Sequence, residues 1–362
     1  MKAEVGPAET YTFLKQAYPD MRLVMKDIYN ARDKIKLQIL KGRSRIRVLM
    51  DELENAKDEE GNEKWNFQSR KNKETGELTG LFFSLVESTR LCSRYPDVIH
   101  IDATFKVNRF NVPLLSIVGT TGLNTTFYIA NIFLTGKSTP DYVWAMRLLE
   151  RLAEACKISP KVIFIDKEDA LASAIALVFP DVKQFYCVFH INVCVLHKVR
   201  KIYQEEDDQN SFMNDWKAVI WAKTEQEFTE KWRLLMKDST RNRLKTYLET
   251  EWLVVKEQFC HAWTDAYLHF GQRSTSRVEG SHNAMKKRIK VSTGDLKHVV
   301  DSLELMMKKQ ISEHEYKLNA LRLRHVRAHQ IMIFEWAVEF VNPEALDIVL
   351  EHWQKLKIGE IS

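Results

Sequence analysis

Three apolar, β-rich segments, separated by short polar turns, follow one another closely at residues 98–105, 112–121 and 125–135. This spacing predicts three strands in a meander. The pattern then changes to helices in alternation with short strands, with helices at 142–156 and 170–179 and strands at 162–166 and 182–187. A meander that leads into β-α-β units predicts an α/β fold, in which helices flank a mixed sheet.

The chain on either side of this block has a helical pattern. Residues 10–56 carry apolar side chains at helical spacing, and the charged residues 54–80 indicate an exposed loop or hairpin. An all-helical block at 201–270 contains five tryptophans, namely Trp216, Trp221, Trp232, Trp252 and Trp263. Further helices are predicted at 276–290, at 296–333 and from residue 343 onward.

We therefore expect five regions along the chain. They are a helical N-terminal region with a charged hairpin or loop (1–95), the first part of the sheet domain (96–200), a helical insertion (201–272), a helix that completes the sheet domain (273–300) and a C-terminal helical extension (301–362). The composition, with 45% hydrophobic and 28% charged residues, is that of a globular protein. Five scattered cysteines favour free thiols in a reducing compartment. No apolar run is long enough to span a membrane, and no signal peptide is expected.

Two of the predicted strands each contain an aspartate. Asp102 lies at the centre of the first strand between apolar residues, where a lone carboxylate is costly unless it meets a cation. Asp166 ends the strand at 162–166, and ligands gather at the carboxyl ends of strands in open α/β sheets. Either aspartate could instead cap the next helix or pair with an arginine. Two aspartates from strands of one sheet nevertheless favour a shared site.

Glu279 is the best candidate for a third acid. It follows Ser276, which is placed to cap a helix that carries Glu279, His282, Asn283 and Lys286 on one face. Mg²⁺ takes hard carboxylate oxygens and keeps several waters, so three acids and a substrate phosphate suffice to hold it. The alternative is that Glu279 only stabilises the dipole of this helix from its first turn.

Cys187, His190, Cys194 and His197 form two Cys-x-x-His pairs, a spacing that suggests a zinc site. On one helix, Cys187 and His197 would be ten residues apart, or roughly 15 Å along the axis. A tetrahedral zinc ion with bonds of about 2.0 to 2.3 Å cannot reach all four side chains. We therefore expect this helix to pack beneath the site, with Cys187 and His190 positioning neighbouring groups.

In combination these residues resemble the transposase domain of Mutator-like elements, over about residues 20 to 300. The matching motifs occur in the same order and with compatible spacing, at 101–106, 108–110, 112–115, Asp166 with 170–171 and 174–175, 179–180, 187–192, 275–282 and Lys286. The resemblance implies an RNase H-like fold in which Asp102, Asp166 and Glu279 are the catalytic, metal-binding acids. It also implies the helical insertion and a Cys-x-x-His element, here Cys187 and His190.

The resemblance further implies a DDE-type DNA transposase that performs two-metal-ion strand cleavage and strand transfer in cut-and-paste transposition. Its cofactors would be two Mg²⁺ or Mn²⁺ ions, and its partners would be the transposon ends and the target DNA. Pairing two DNA ends implies a homo-oligomer on DNA, and the substrate implies residence in the nucleus. No membrane partner is expected.

Two other functions stay open. One is a domesticated, transposase-derived DNA-binding or transcription-regulatory protein that does not need catalysis, and the other is an RNase H-like nuclease that cleaves without joining strands. Family members often carry an N-terminal zinc-type DNA-binding domain and a C-terminal Cys/His-rich finger. This sequence shows neither, so it is expected to be a fragment, a decayed copy or a host-adopted derivative.

Positive charge is concentrated beside Glu279, since residues 272–298 contain seven Lys or Arg and two acids. The side chains predicted to contact DNA phosphates are Arg277, Lys286, Lys287 and Lys290. The alternative is an ordinary solvated helix face. His282 is a candidate for proton transfer or for a simple hydrogen bond. The tryptophans of the insertion could stack on bases, although core packing is favoured at helical spacing.

Overall fold

The computed structural model describes residues 6–40, 42–237, 242–289, 294–322, 334, 337, 341 and 343–357. Its centre is a seven-stranded sheet with the order β1-β2-β5-β4-β3-β6-β7. The strands are β1 (Trp65–Lys71), β2 (Leu78–Leu85), β3 (Val98–Thr104), β4 (Leu114–Thr120), β5 (Thr126–Leu134), β6 (Val162–Ile165) and β7 (Lys183–Tyr186).

The strand directions confirm the predicted mixed sheet. Strands β3, β4 and β5 form the antiparallel meander, and β6 and β7 follow in parallel beside β3. The core order β5-β4-β3-β6-β7 is that of the RNase H-like fold, with the meander on one side and the β-α-β units on the other. β6 is apolar and wholly buried, whereas β7 lies at the edge of the sheet and is buried only at Phe185 and Tyr186.

The charged segment at 54–80 is a hairpin, but it is not merely an exposed one. β1 and β2 pair with each other, and β2 also pairs antiparallel with β5, so the hairpin extends the sheet. Residues 80–85 of β2 are buried, with Leu81 and Phe83 fully so. The charge pattern ends where this buried half begins, and for that reason the sequence did not show the hairpin as part of the core.

The described helices lie in the segments predicted to be helical, with α4 in addition, and the part of the predicted 296–333 helix beyond Arg322 lies outside the described residues. The helices before and within the sheet region are α1 (Pro7–Ala17), α2 (Met25–Leu40), α3 (Arg45–Asn55), α4 (Val86–Arg94), α5 (Thr139–Ala155), α6 (Asp169–Val178) and α7 (Val188–Arg200). The insertion contains α8 (Glu206–Ile220), α9 (Glu225–Leu235), α10 (Asn242–Glu251), a 3₁₀ helix (Leu253–Gln258) and α11 (His261–Thr264). The last helices are α12 (Ser276–Ile289), α13 (Leu296–Arg322) and α14 (Pro343–Lys357). None of the described helices is long and apolar enough to cross a membrane.

Helix α12 returns to the sheet after the insertion and packs against β3 and β4. Its buried apolar side chains, Val278, Met285 and Ile289, recur at helical spacing and face the sheet. Burying each of them contributes about 1.5 to 3 kcal/mol. This packing fixes the rotation of α12 and therefore the direction in which its polar side chains point.

The tryptophans of the insertion mostly serve the core, as the spacing predicted. Trp216 is fully buried and Trp252 nearly so, while Trp232 and Trp263 are half-buried. The indole N–H of Trp216 donates to Oδ1 of Asn192 on α7 at 3.1 Å, which joins the insertion to the sheet domain. Trp221 is the exception among the five, with 50% of its surface exposed.

Candidate active site

Asp102 lies on β3 opposite Ser116 of β4, and 16% of its side chain is exposed. Its Oδ1 accepts a hydrogen bond from the backbone N–H of Ala103 at 2.7 Å. Its Oδ2 lies 3.5 Å from Nδ1 of His282. Within the described ranges no Lys or Arg forms an ion pair with this carboxylate, so its charge is left for another cation.

Asp166 directly follows β6, the parallel neighbour of β3. The register pairs His100 with Phe164, and the same offset brings Asp102 and Asp166 to one level. The Asp166 side chain does not cap α6, whose N-cap is Glu168. Its Oδ1 accepts hydrogen bonds from His190 Nδ1 at 2.6 Å and from the Thr275 hydroxyl at 3.0 Å.

Glu279 lies in the first turn of α12, where it also stabilises the helix dipole. Its Oε1 lies 3.5 Å from Nε2 of His190 and accepts a 3.4 Å hydrogen bond from the hydroxyl of Thr275. Glu279 is thus turned toward Asp166, although the whole insertion separates the two residues in sequence. The structure brings these two acids of the predicted triad together through shared partners.

His190 connects the two carboxylates. It lies in the first turn of α7, with one ring nitrogen against Asp166 and the other facing Glu279. The hydrogen bond to Asp166, and then that to Cys187, raise the pKa of His190 to about 11. The imidazolium therefore offsets negative charge in the absence of a metal ion.

Thr275 is a site residue whose role the sequence did not show. Its side chain is fully buried, and its hydroxyl lies within hydrogen-bond distance of Asp166 and Glu279. Its backbone N–H donates to the sulfur of Cys187 at 3.2 Å. The segment that leads into α12 is therefore anchored to the start of α7. A threonine before a helix normally indicates a cap, and that signal does not reveal contacts to distant strands.

His282 follows Glu279 by one turn on the same side of α12. Its ring is buried and its Nδ1 faces Asp102, so one helix face reaches both ends of the predicted triad. Its Nε2 is a buried nitrogen with no hydrogen-bond partner among the described residues. Both roles predicted for His282, proton transfer and hydrogen bonding, remain predictions.

The three acids offer oxygen ligands of the kind that divalent cations take. Asp166 and Glu279 share partners, whereas Asp102 contacts His282 and no contact among the described residues links it to the other two acids. The oxygens of the triad are not among the described groups whose ligand atoms all lie within 4.8 Å of one another. Two ions about 4 Å apart, each with bonds of about 2.1 Å, need carboxylates spread over several ångströms. Carboxylate oxygens are ligands that Mg²⁺ takes, and binding of two ions stays a prediction.

The predicted DNA contacts occupy different surroundings. Lys286 and Lys287 are exposed on α12, as a phosphate contact requires. Arg277 instead donates to the carbonyl oxygen of Asn124 at 3.0 Å and to Oε1 of Gln272 at 2.5 Å. Its guanidinium thus ties α12 to the turn between β4 and β5, and its contact with DNA stays a prediction, as do those of the two lysines. Lys290 lies outside the described residues.

The Cys-x-x-His pairs are separated as expected. Cys187 is buried and His190 faces Asp166, whereas Cys194 and His197 are exposed further along α7. In the described part of the chain, Asp166, Cys187 and His190 form a group whose ligand atoms lie within 4.8 Å of one another. Cys194 and His197 do not belong to that group.

Comparison with known families finds a similarity over part of the chain. The MULE transposase domain matches residues 98–193, a range that contains Asp102, Asp166, Cys187 and His190. The range runs from the start of β3 into α7. Glu279 lies beyond it, so its place in the site depends on the contacts described above.

Relatives of known name are distant. The PKS-NRPS hybrid synthetase cheA of Chaetomium globosum is 24% identical over 98% of this chain and 8% of that protein. Protein FAR1-RELATED SEQUENCE 6 of Arabidopsis thaliana is 25% identical over 66% of this chain and 33% of that protein. The chain therefore spans a third or less of these relatives.

Among solved structures, the Drosophila P element transposase strand transfer complex aligns with 98% of this chain and 92% of its own. The TM-score is 0.27 and the identity 10%, too low to support any argument about fold or function. The family match, the strand order and the placement of Asp102 and Asp166 agree with one another. Residues 98–193 thus match the MULE transposase domain, and they lie in a sheet whose strand order is that of the RNase H-like fold.

Proposed function

We propose that the chain is the catalytic core of a DDE-type DNA transposase that cleaves and joins DNA strands, with Asp102, Asp166 and Glu279 as its metal ligands. The observation that carries the proposal is the convergence of Glu279 on Asp166 across the insertion. One buried hydroxyl, that of Thr275, lies within hydrogen-bond distance of both carboxylates.

Two Mg²⁺ or Mn²⁺ ions bound there would activate the attacking oxygen and stabilise the leaving oxygen of a phosphodiester. The residues of the chain would orient the metal ligands and bind DNA. Thr275 and His190 orient the carboxylates of Asp166 and Glu279, and His282 positions the second oxygen of Asp102. The exposed Lys286 and Lys287 hold DNA phosphates beside the site. No covalent bond between enzyme and DNA is required.

The attacking groups would be water in strand cleavage and a DNA 3′-hydroxyl in strand transfer. The partners would be element ends and target DNA, which implies action in the nucleus and at least two protomers when both ends are held. These statements follow from the chemistry proposed for the site.

The test uses the full chain with supercoiled plasmid DNA, and with oligonucleotides that carry the terminal repeats flanking the coding sequence. We expect nicking and strand joining that depend on Mg²⁺ or Mn²⁺ and are lost in Asp102→Asn and in Glu279→Gln. The matched control is Asp181→Asn, an exposed aspartate in the loop between α6 and β7, which should keep full activity.

The outcomes separate the candidate functions. Activity that persists in both site variants would contradict the proposal. Specific binding of the terminal repeats without cleavage by any variant would favour a DNA-binding regulator. Cleavage without joining would favour a nuclease of another purpose.

A further inference from the structure

Asp166, Cys187 and His190 form a second constellation at the edge of the candidate active site. Their ligand atoms, one oxygen, one sulfur and one nitrogen, lie within 4.8 Å of one another. The three residues come from adjacent points of the fold, namely the end of β6, the N-cap of α7 and the first turn of α7. Cys187 and His190 lie three residues apart and so share one side of the helix.

The chemistry of this group differs from that of the carboxylate triad. Mg²⁺ takes oxygen ligands and has little affinity for a thiolate or an imidazole. Zn²⁺ takes all three atom types, at about 2.3 Å from sulfur, 2.0 to 2.1 Å from nitrogen and 2.0 to 2.2 Å from oxygen. Tetrahedral geometry then puts ligand atoms roughly 3.3 to 3.8 Å apart, so movements of about 1 Å would close the group around an ion.

The position and exposure of these side chains suit the binding of a cation. The Cys187 sulfur is buried and accepts a hydrogen bond from the backbone N–H of Thr275, which holds the sulfur beside Asp166 and His190. The side chains of Asp166 and His190 are 32% and 34% exposed, so an ion can enter from solvent. Oε1 of Glu279 lies 3.5 Å from Nε2 of His190. The fourth ligand would be a water molecule or the Glu279 carboxylate.

We infer that Asp166, Cys187 and His190 form a three-ligand Zn²⁺ site that shares Asp166 with the catalytic centre, so that bound Zn²⁺ inhibits the transposase. The inhibition rests on the proposed function, whereas Zn²⁺ binding does not. Because Zn²⁺ would take Oδ1 of Asp166, which faces His190, only Oδ2 is left for the catalytic ions, and occupancy by Zn²⁺ displaces one of them or weakens its binding.

Binding is tested on the full chain after treatment with a chelator. Co²⁺, which replaces Zn²⁺ in such sites, should produce a thiolate-to-metal charge-transfer band at one equivalent, and added Zn²⁺ should abolish the band. Zn²⁺ affinity is measured by competition with a chromophoric chelator. This test uses the wild-type protein alone. If the band is absent at one equivalent of Co²⁺, the zinc site is refuted.

Helix α7 provides matched controls. Cys187→Ser and His190→Gln remove ligands, while Cys194→Ser and His197→Gln repeat the same changes at the exposed pair on the same helix. We expect the first two to weaken Zn²⁺ binding by more than the roughly 10- to 100-fold that loss of an outer-shell partner costs. The second two should leave binding unchanged. Equal affinity of folded Cys187→Ser and wild type would refute the assignment.

Inhibition is tested by adding Zn²⁺ to the Mg²⁺-dependent nicking reaction of the wild type and of Cys194→Ser. Both should lose nicking as the site fills, at the Zn²⁺ concentration given by the competition experiment. If the protein nicks DNA but shows no thiolate band, the zinc site alone is refuted. If the thiolate band appears but no metal supports nicking, the transposase function alone is refuted. Zn²⁺ binding that leaves nicking unaffected would refute the shared ligand.

Discussion

The hydroxyl of Thr275 donates to Oδ1 of Asp166 at 3.0 Å, from the segment that precedes α12 to the end of β6. Thr275→Val keeps the shape of the side chain and removes this donor. We expect metal-dependent nicking to fall roughly 10- to 100-fold, as for other groups that orient metal ligands. The unfolding free energy should fall by only about 0.5 to 1.5 kcal/mol, the net worth of one hydrogen bond, because both carboxylates are partly exposed to solvent.

Thr275→Ser is the control for this prediction, since it keeps the hydroxyl and loses only a methyl group. Nicking should recover to near the wild-type rate. If valine and serine reduced nicking equally, the hydroxyl would have no orienting role.

Metal removal should change stability as well as activity. Ions that bind the folded chain stabilise it by mass action, by about 2.7 kcal/mol at a concentration 100 times Kd. Added Mn²⁺ should therefore raise the Tm of the wild type, and this rise should be much smaller in Asp102→Asn and in Glu279→Gln. Differential scanning calorimetry measures both values, with Asp181→Asn as the variant that should respond like the wild type.

The His190–Asp166 pair should make stability depend on pH when metal is absent. The pKa of His190 is raised from its ordinary 6.5 to about 11, so the stabilisation is complete below 6.5 and is lost as pH rises through about 11. Wild type and His190→Gln should therefore differ most in unfolding free energy at pH 6.5 and below. Urea titrations with chelator across this window measure the difference, and a gap that widens with pH would contradict the pairing.

The packing of α12 against the sheet determines where Glu279 points. Met285 is fully buried between α12 and the sheet, and Met285→Ala should cost about 2 to 5 kcal/mol of stability. Lys287→Ala, on the exposed side of the same helix, should change stability by less than about 0.5 kcal/mol. Urea unfolding distinguishes the two, and similar losses for both would mean that α12 is not held by this face.

Lys286 and Lys287 should act on DNA affinity through charge. Replacing both with alanine should weaken binding similarly for all DNA sequences and reduce the salt dependence of log K by about one unit per lost phosphate contact. Fluorescence anisotropy with unrelated duplexes at several salt concentrations measures both effects. An unchanged salt dependence would place these lysines away from DNA.

Local pattern was sufficient to predict much of this fold. The meander, the β-α-β units and α12 could be read from hydrophobic period, because the period depends on which side of each element is buried. Asp102 and Asp166 stood out because each interrupts or ends an apolar strand. Their common level in the sheet agrees with that expectation.

The remaining features depend on contacts between distant residues, which no local pattern contains. Pairing of β2 with β5 could not be predicted, since the residues of β2 show burial but not which strand lies beside them. The contacts of Thr275 with Asp166, and of Arg277 with Asn124, likewise join segments that meet only when the chain closes around the insertion.

The pairing of β2 with β5 has a consequence for how the protein can be divided. A fragment cut at residues 98–193, where the family similarity lies, would leave the backbone N–H and C=O groups along one side of β5 without partners. It would also lose α12 and α13, which cover β3, β4 and β5. Such an open strand is prone to pair with other chains, so the excised segment should aggregate. The segment that matches the family is therefore smaller than the unit that folds.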